Sequence, residues 1–384
     1  MYSIFSPKDF DKEKLRNFMQ GINDLEGKKN IIRKWQKDIE SKKVDQLGET
    51  QQDIPFVTDI FEKVLDYEHQ NSEKWNITIK PKTDLDATKP DAVLGYFDVN
   101  GKKIVRTVIE LKKTTIDLDR SLMHKGKDEK TIKTPSPVSQ AFSYVPKFSG
   151  NCRWVIVSNF KEIRLYHASN STKYKVFEVE SLLEPENFAK FLFLMHKSRL
   201  FGQGEGNDDS FTDILYAEKR AAEERITIEF YNGYQDKREI LFHSLCKTNP
   251  EKDKLAILSA TQKLIDRLIF ICFTRDVIPM PNVLLDIKQA AERIYFEQDN
   301  FFWELLNKTF KSYNKGFANK IPLFNGGLFS ENEFLNTLTV KDFQLLPLIE
   351  FLLKYDFQSE LNVTILGHIF EQSIADLEIG RAHV

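Results

Sequence analysis

Cysteine is scarce, net charge is close to nil and no apolar run is long; each shortage removes a class of protein. The three cysteines, Cys152, Cys246 and Cys272, are far apart, with no Cys-x-x-Cys pair and no histidine cluster beside them. That pattern excludes a disulfide framework and fits buried thiols in a reducing compartment. His243 and Cys246 can share one helix face, but two ligands without a second pair read as packing rather than a zinc site. A formal net charge of -2 excludes a wholly basic nucleic-acid binder, so any such contact has to come from a local patch. The N-terminus has no apolar signal core, and the longest apolar runs, near Phe191 and Leu268, are too short to cross a bilayer. No membrane partner is expected, and a cytoplasmic location follows. No repeat of fixed period is present.

What remains is a soluble composition rich in phenylalanine, in a chain of 384 residues, long enough for two or three domains with real cores. Up to about Tyr67 the pattern is helical, with Phe56, Ile60, Phe61, Val64 and Leu65 forming an apolar stripe after Pro55. Trp75 to Pro81 reads as a first strand. Leu118 to Pro135 reads as a mobile basic loop, after which Ser136 and Pro137 make an N-cap and a first helical position, and Pro146 ends that helix. Arg153 to Ser158 is a strand buried on both faces, followed by strands at Ile163 to His167 and Tyr174 to Val179. Phe188 to Phe201 is an apolar helix.

Composition then changes abruptly. The glycine-rich acidic stretch 202–210 is a linker signature, so residues 1–201 form one domain and 211–384 another. The second half is helical in pattern, with segments near Phe211 to Tyr231, Lys254 to Thr274, Val283 to Tyr295, Asn300 to Tyr313, Asp342 to Lys354 and Asn362 to Asp376. The fold class is α/β, a mixed sheet flanked by helices, followed by an all-α domain.

The chemistry concentrates between Pro90 and Lys112. Two β-rich runs, Ala92 to Val99 and Ile104 to Leu111, flank Asn100-Gly101, a dipeptide favoured in two-residue hairpin turns. With a loop of only those two residues, Val99 pairs with Lys102 and Asp91 falls opposite Glu110, Cβ atoms roughly 5 Å apart. Strand alternation puts Glu110 and Lys112 on one face and Thr107, Ile109 and Leu111 on the other. Two carboxylates that close repel, and a hard divalent cation such as Mg²⁺ resolves the conflict. A lysine beside them can serve an attacking water or a developing phosphate charge, which is the chemistry of phosphodiester hydrolysis. The plainer alternative is a capped strand with a solvated polar face. Between Gly101 and Lys133 there are ten Lys/Arg against five Asp/Glu, a basic patch next to these residues.

Pro90-Asp91 followed by Glu110-Leu111-Lys112 resembles the PD-(D/E)xK nuclease signature, and Gln140 to Tyr144 is similar to the Gln-x-x-x-Tyr helix of one branch of those enzymes. The resemblance implies that Asp91, Glu110 and the Leu111 main-chain carbonyl hold Mg²⁺, that Lys112 serves the water or transition state, and that Gln140 positions Lys112 or the DNA. It also implies an extra helical acid, for which Glu62 is the candidate, with Asp59 and Asp66 competing. Arg120, Lys125, Lys127, Lys133 and Tyr144 become candidate contacts to double-stranded DNA. The plain reading of Gln140 and Tyr144 is an i,i+4 pair on an amphipathic helix.

In the second half, Gln262 to Phe270, Leu323 to Phe329 and Ile365 to Ser373 resemble the helical connector of type IIG restriction-modification enzymes, which joins a nuclease to an adenine-type methyltransferase. Asp266 and Arg267 read as a structural ion pair, and no catalysis is assigned here. The S-adenosylmethionine loop, the Asn-Pro-Pro-Tyr motif and the target-recognition domain are missing, so that cofactor enters only through an absent methyltransferase. The chain stops shortly after Glu378, and Ile379 to Val384 match nothing expected there, as in a truncated product or a cloning remnant. Two other functions stay open: a non-catalytic DNA-binding or scaffold module with a decayed nuclease core, and a repair or recombination nuclease.

Overall fold

The structure is a computed structural model, and it describes residues 3–5, 9–46, 49–70, 73–125, 131–149, 152–202, 208–293, 300–318, 320–324, 326–357, 361 and 367. Two compact units are present, Met1–Lys219 and Arg220–Val384. Of the glycine-rich stretch, residues 203–207 lie outside the described residues.

The first unit opens with helices α1 (Lys12–Gln20), α2 (Leu25–Glu40), α3 (Lys43–Gln46) and α4 (Glu49–Phe56), the last continuing as a π-helical segment over Val57–Val64. Strands β1 (Lys74–Ile79), β2 (Ala92–Asp98) and β3 (Lys103–Leu111) follow, then β4 (Leu122–Lys125), β5 (Thr131–Thr134), helix α5 (Pro137–Tyr144), and β6 (Trp154–Ser158), β7 (Glu162–His167) and β8 (Tyr174–Glu178). The six main strands lie in the order β1-β2-β3-β6-β7-β8. Only β3 and β6 run parallel, so the sheet is mixed. A parallel pair needs a long crossover, and here the crossover carries β4, β5 and α5, the last of which packs on β3 and β6. The mobile basic loop expected at Leu118 to Pro135 is corrected in part: β4 and β5 pair as an antiparallel ribbon, Leu122 opposite Thr134 and Lys125 opposite Thr131. Thr131, Ile132 and Thr134 supply the β-branched residues that lysine counting overlooked.

The period of two divides the sheet into faces. Ala92, Leu94, Ile109 and Leu111 enter one core with Trp35, Phe56, Ile60 and Phe61 of the N-terminal helices and with the apolar face of α6 (Pro185–Met195). The apolar helix expected over Phe188 to Phe201 is broken at His196, which leaves α7 (Lys197–Leu200) as a separate turn. On the opposite face Val93, Val105 and Val108 meet Tyr144 and Phe148. Central β6, read as Trp-Val-Ile-Val-Ser, is buried along its whole length.

The second unit is built from α8 (Phe211–Thr248, whose residues 211–219 belong to the first unit), α9 (Lys254–Val277), α10 (Val283–Glu292), α11 (Phe301–Lys315), α12 (Glu333–Asn336) and α13 (Asp342–Leu352). The helix expected near Phe211 to Tyr231 runs on through Gly233 to Thr248, nearly five more turns. A Cβ at Gly233 would lie 2.3 Å from the Phe351 ring, so this glycine is a contact point rather than a stop. The ion pair expected between Asp266 and Arg267 is corrected. Successive helix residues point in different directions. Asp266 accepts from Gln262 Nε2 at 2.8 Å, while Arg267 donates to the carbonyls of Leu328 at 2.9 Å and Ser330 at 2.7 Å. The helix expected over Asn362 to Asp376 lies outside the described residues apart from residue 367. No described helix is long and apolar enough to cross a membrane.

Candidate active site

The hairpin turn is one residue longer than the two-residue loop expected. Asp98 N–H donates to Lys102 O at 3.3 Å, so three residues lie between them, and Gly101 takes φ 92°, open to glycine but strained for other residues. The pairs Phe97↔Lys103, Tyr96↔Ile104 and Gly95↔Val105 follow. A bulge then intervenes, and the ladder resumes as Leu94↔Thr107, Val93↔Val108 and Ala92↔Ile109. The longer turn and the bulge offset one another. Continued by one residue, this register sets Asp91 across from Glu110.

Around that point the groups gather. Asp91 Oδ2 accepts the Leu111 N–H at 2.8 Å, which fixes the carboxylate over the end of β3. The N–H of Lys112 donates to Ser158 O at 2.8 Å, which extends the β3–β6 ladder and holds the backbone that carries Lys112. Glu110 is buried, and Lys112 Nζ hydrogen-bonds to its Oε1. Helix α5 starts where Ser136 Oγ accepts the Ser139 N–H at 3.2 Å, with Pro137 in its first turn. One turn later Gln140 Nε2 donates to Tyr144 Oη at 3.2 Å. Burial pushes the Tyr144 hydroxyl above its ordinary pKa; the bond from Gln140 lowers it, Glu110 and Asp91 raise it, and Lys112 lowers it. One hydroxyl therefore feels all three charged groups of the hairpin. Asp91, Glu110 and Lys112 thus lie on the face of the sheet that α5 covers, within electrostatic reach of Tyr144, to which Gln140 is bonded.

Two carboxylates carried on directly opposed strand residues, whose Cβ atoms lie roughly 5 Å apart, would repel by about 3 kcal/mol at an effective dielectric constant of about 20 were their charges equally close. The Lys112 ammonium offsets this on the Glu110 side. Among the described residues no group of three or more His, Cys, Asp or Glu converges to form a complete metal cage. Two carboxylates suit Mg²⁺ nonetheless, because that ion keeps water and takes phosphate oxygens rather than a full set of protein ligands. The Leu111 N–H points to Asp91, and because the N–H and C=O of one strand residue project to the same side, its carbonyl does too.

The other candidates are distributed elsewhere. Glu62 stands 3.8 Å from His69 Nδ1 and takes no part in the cluster. Asp59 is held by Lys63 at 2.8 Å, Lys34 at 3.1 Å and Trp35 Nε1 at 3.1 Å. Burial alone would raise its carboxyl, but Lys63 and Lys34 hold it below the ordinary value. Asp66 binds Lys28 and, at 2.9 Å, His196 Nε2. The acid that adjoins the site is one that sequence reasoning missed. Asp53 on α4 is buried, with Oδ2 3.4 Å from Lys80 Nζ, and the Lys80 N–H donates to the Asp91 carbonyl at 2.9 Å. Only its place three residues before the apolar stripe could have signalled it. Arg120 is exposed and pairs with Asp117 at 3.1 Å. Lys125 and Lys133 belong to the β4–β5 ribbon, and Lys127 lies outside the described residues.

No curated protein and no solved structure gives a significant match. A family model described as the N-terminal domain of MmeI, a type IIG restriction enzyme, matches residues 28–224, which include every residue of the cluster. The match spans just over half of the chain, so the protein belongs to the MmeI N-terminal domain family and is the N-terminal part of a type IIG restriction-modification enzyme.

Proposed function

We propose that the first unit is a Mg²⁺-dependent endonuclease that hydrolyses phosphodiester bonds of double-stranded DNA, the cutting module of an enzyme whose methyltransferase and target-recognition domains share its full-length chain. The observation that carries this reading is the cluster on the sheet face that α5 covers, where two opposed carboxylates and an ammonium lie within electrostatic reach of Tyr144, to which Gln140 is bonded. Asp91, Glu110 and the Leu111 carbonyl would hold the ion, which when bound supplies Lewis acidity toward a phosphate oxygen. Lys112 Nζ, released from Glu110, holds an attacking water or neutralises charge developing on the phosphate. Gln140, tied to Tyr144 Oη, limits where the Lys112 ammonium and the DNA strand sit. Asp53, through Lys80, steadies the backbone of Asp91 and is a better candidate than Glu62 for the additional acid. DNA would approach over the basic crossover that includes Arg120 and the β4–β5 ribbon.

The test is to incubate linear and circular DNA and Mg²⁺ with the full chain and with Glu110→Ala or Lys112→Ala. Mg²⁺-dependent cutting by the unaltered chain and its loss in both variants supports the reading. Equal cutting by all three removes it, and salt-sensitive binding without cutting favours the scaffold alternative.

A further inference from the structure

Where Glu110 lands depends on one residue that the β2–β3 ladder leaves out. Gly95 pairs with Val105 and Leu94 with Thr107, so Arg106 is surplus on β3. With Arg106 taken into the ladder, every later residue of β3 would move back by one. Asp91 would then face Ile109, and Glu110 and Lys112 would point to the opposite side of the sheet from Asp91.

The structure shows what keeps Arg106 out. Its side chain is fully buried, and its Nη2 donates to Asp213 Oδ2 at 2.7 Å, in the first turn of α8. Asp213 is itself buried and fixed by Trp154 Nε1 at 2.8 Å and by the Ser210 N–H at 2.8 Å, with Arg153 Nη1 3.3 Å away. The Arg106 carbonyl is committed as well, to the N–H of Arg153 at 2.9 Å. Opposite it, a Cβ on Gly95 would lie 2.1 Å from Ile104 O, so the bulge brings β2 and β3 too close for any side chain there. Among the described residues Nε and Nη1 of Arg106 have no hydrogen-bond partner. A buried guanidinium so incompletely satisfied is a poor way to gain stability and a good way to fix a position.

We infer that the Arg106–Asp213 pair is a register pin: it holds one residue of β3 out of the ladder and so aligns Glu110 and Lys112 with Asp91. Arg106 is a positioning residue, acting through the strand without touching the cluster. The activity readout of this inference rests on the nuclease reading.

The test compares the full chain with Arg106→Val, with deletion of Arg106 and with Glu110→Ala. Valine is β-branched and free to enter the ladder, whereas deletion removes the surplus residue and leaves Leu94 opposite Thr107 and Asp91 opposite Glu110. Arg106→Val is expected to lose Mg²⁺-dependent cleavage by a hundredfold or more, while the deletion stays within tenfold of the unaltered chain. A purely structural role predicts the reverse, because deletion removes more than substitution does. Cleavage by Arg106→Val within threefold of the unaltered chain overturns the inference. So does a deletion that falls with it, whether through inactivity or through unfolding. If Glu110→Ala cuts as well as the unaltered chain, the nuclease reading fails, and the register is read from the crystal structure of Arg106→Val instead. Asp91 across from Ile109 there supports the pin, and Asp91 still across from Glu110 refutes it.

Discussion

Replacing Asp213 by asparagine keeps the shape of the buried carboxylate and removes only its charge. In the unaltered chain that carboxylate accepts from Arg106, Trp154 and Ser210 and lies near Arg153. Arg153 is about one-third exposed and is rehydrated easily, so its share is small. Arg106 is fully enclosed, and a buried cation deprived of its partner costs about 3–5 kcal/mol. For a domain of roughly 200 residues each kcal/mol moves the melting temperature by about 2–4 °C, so the transition of the first unit should fall by roughly 6–20 °C. Scanning calorimetry of the full chain measures this directly. A fall of less than about 3 °C would show that the guanidinium has another means of neutralisation and would remove the basis of the calculation. The double variant Arg106→Met/Asp213→Leu sharpens the point, because apolar replacement of a buried pair is commonly neutral or better. Its melting temperature should return to near that of the unaltered chain while Mg²⁺-dependent cleavage does not.

Further tests address separate parts of the molecule. If Asp91 and Glu110 bind Mg²⁺ with an affinity near 1 mM, then 10 mM Mg²⁺ adds about 1.4 kcal/mol and raises the melting temperature by roughly 3–6 °C; Asp91→Asn should abolish that rise, and an undiminished rise would place the ion elsewhere. Burial pushes the Asp266 carboxyl up to about 6, against the hydrogen bond from Gln262 and the charge of Arg238. A carboxyl raised on folding contributes stability at low pH and loses it as pH climbs through about 6, so Asp266→Asn should stabilise the second unit by about 2–3 kcal/mol at pH 8 and by almost nothing at pH 4 in urea titrations. Tyr144→Phe removes the acceptor of Gln140 at a cost of about 1 kcal/mol in stability and should lower the cleavage rate by roughly tenfold through the looser amide; an unchanged rate would mean that the amide does not depend on this bond. Burial pushes the Cys152 and Cys272 thiols up to about 12, whereas partly buried Cys246 is raised less. A thiol reagent should therefore label Cys246 first in the native chain, and equal rates at all three would contradict their burial.

Much of this geometry is legible in the residue string, although not always for the reason that first suggests itself. Asn100-Gly101 marks the reversal, and β-branched alternation on both sides divides the faces correctly. Turn length is a weaker signal, because Gly101 serves a three-residue loop as readily as a two-residue one. Asp91 nevertheless meets Glu110, since the bulge at Arg106 restores what the longer loop takes away. Gly95, a glycine inside a strand, is the trace of that bulge in the sequence. Asp53 left no comparable trace, because a buried carboxylate on a helix looks like any other acid until its lysine partner, brought from β1, is known. The β4–β5 ribbon was hidden by its lysines, and the full length of α8 by Gly233, whose requirement for space comes from Phe351 more than one hundred residues later. Asp53 and Gly233 were obscured by tertiary contacts, whereas the two faces of the hairpin followed from a local period.

The extent of the first core has a practical consequence for anyone dividing this protein. The family match begins at residue 28, yet Phe5, Phe10 and Leu15 are already inside, with Phe5 stacked on Trp154 of the central strand and edge-on to Tyr216. Each such side chain contributes about 1.5–3 kcal/mol through burial. An expression fragment trimmed to the matched residues would uncover the middle of the sheet, and its insolubility would say nothing about the chemistry on the other side.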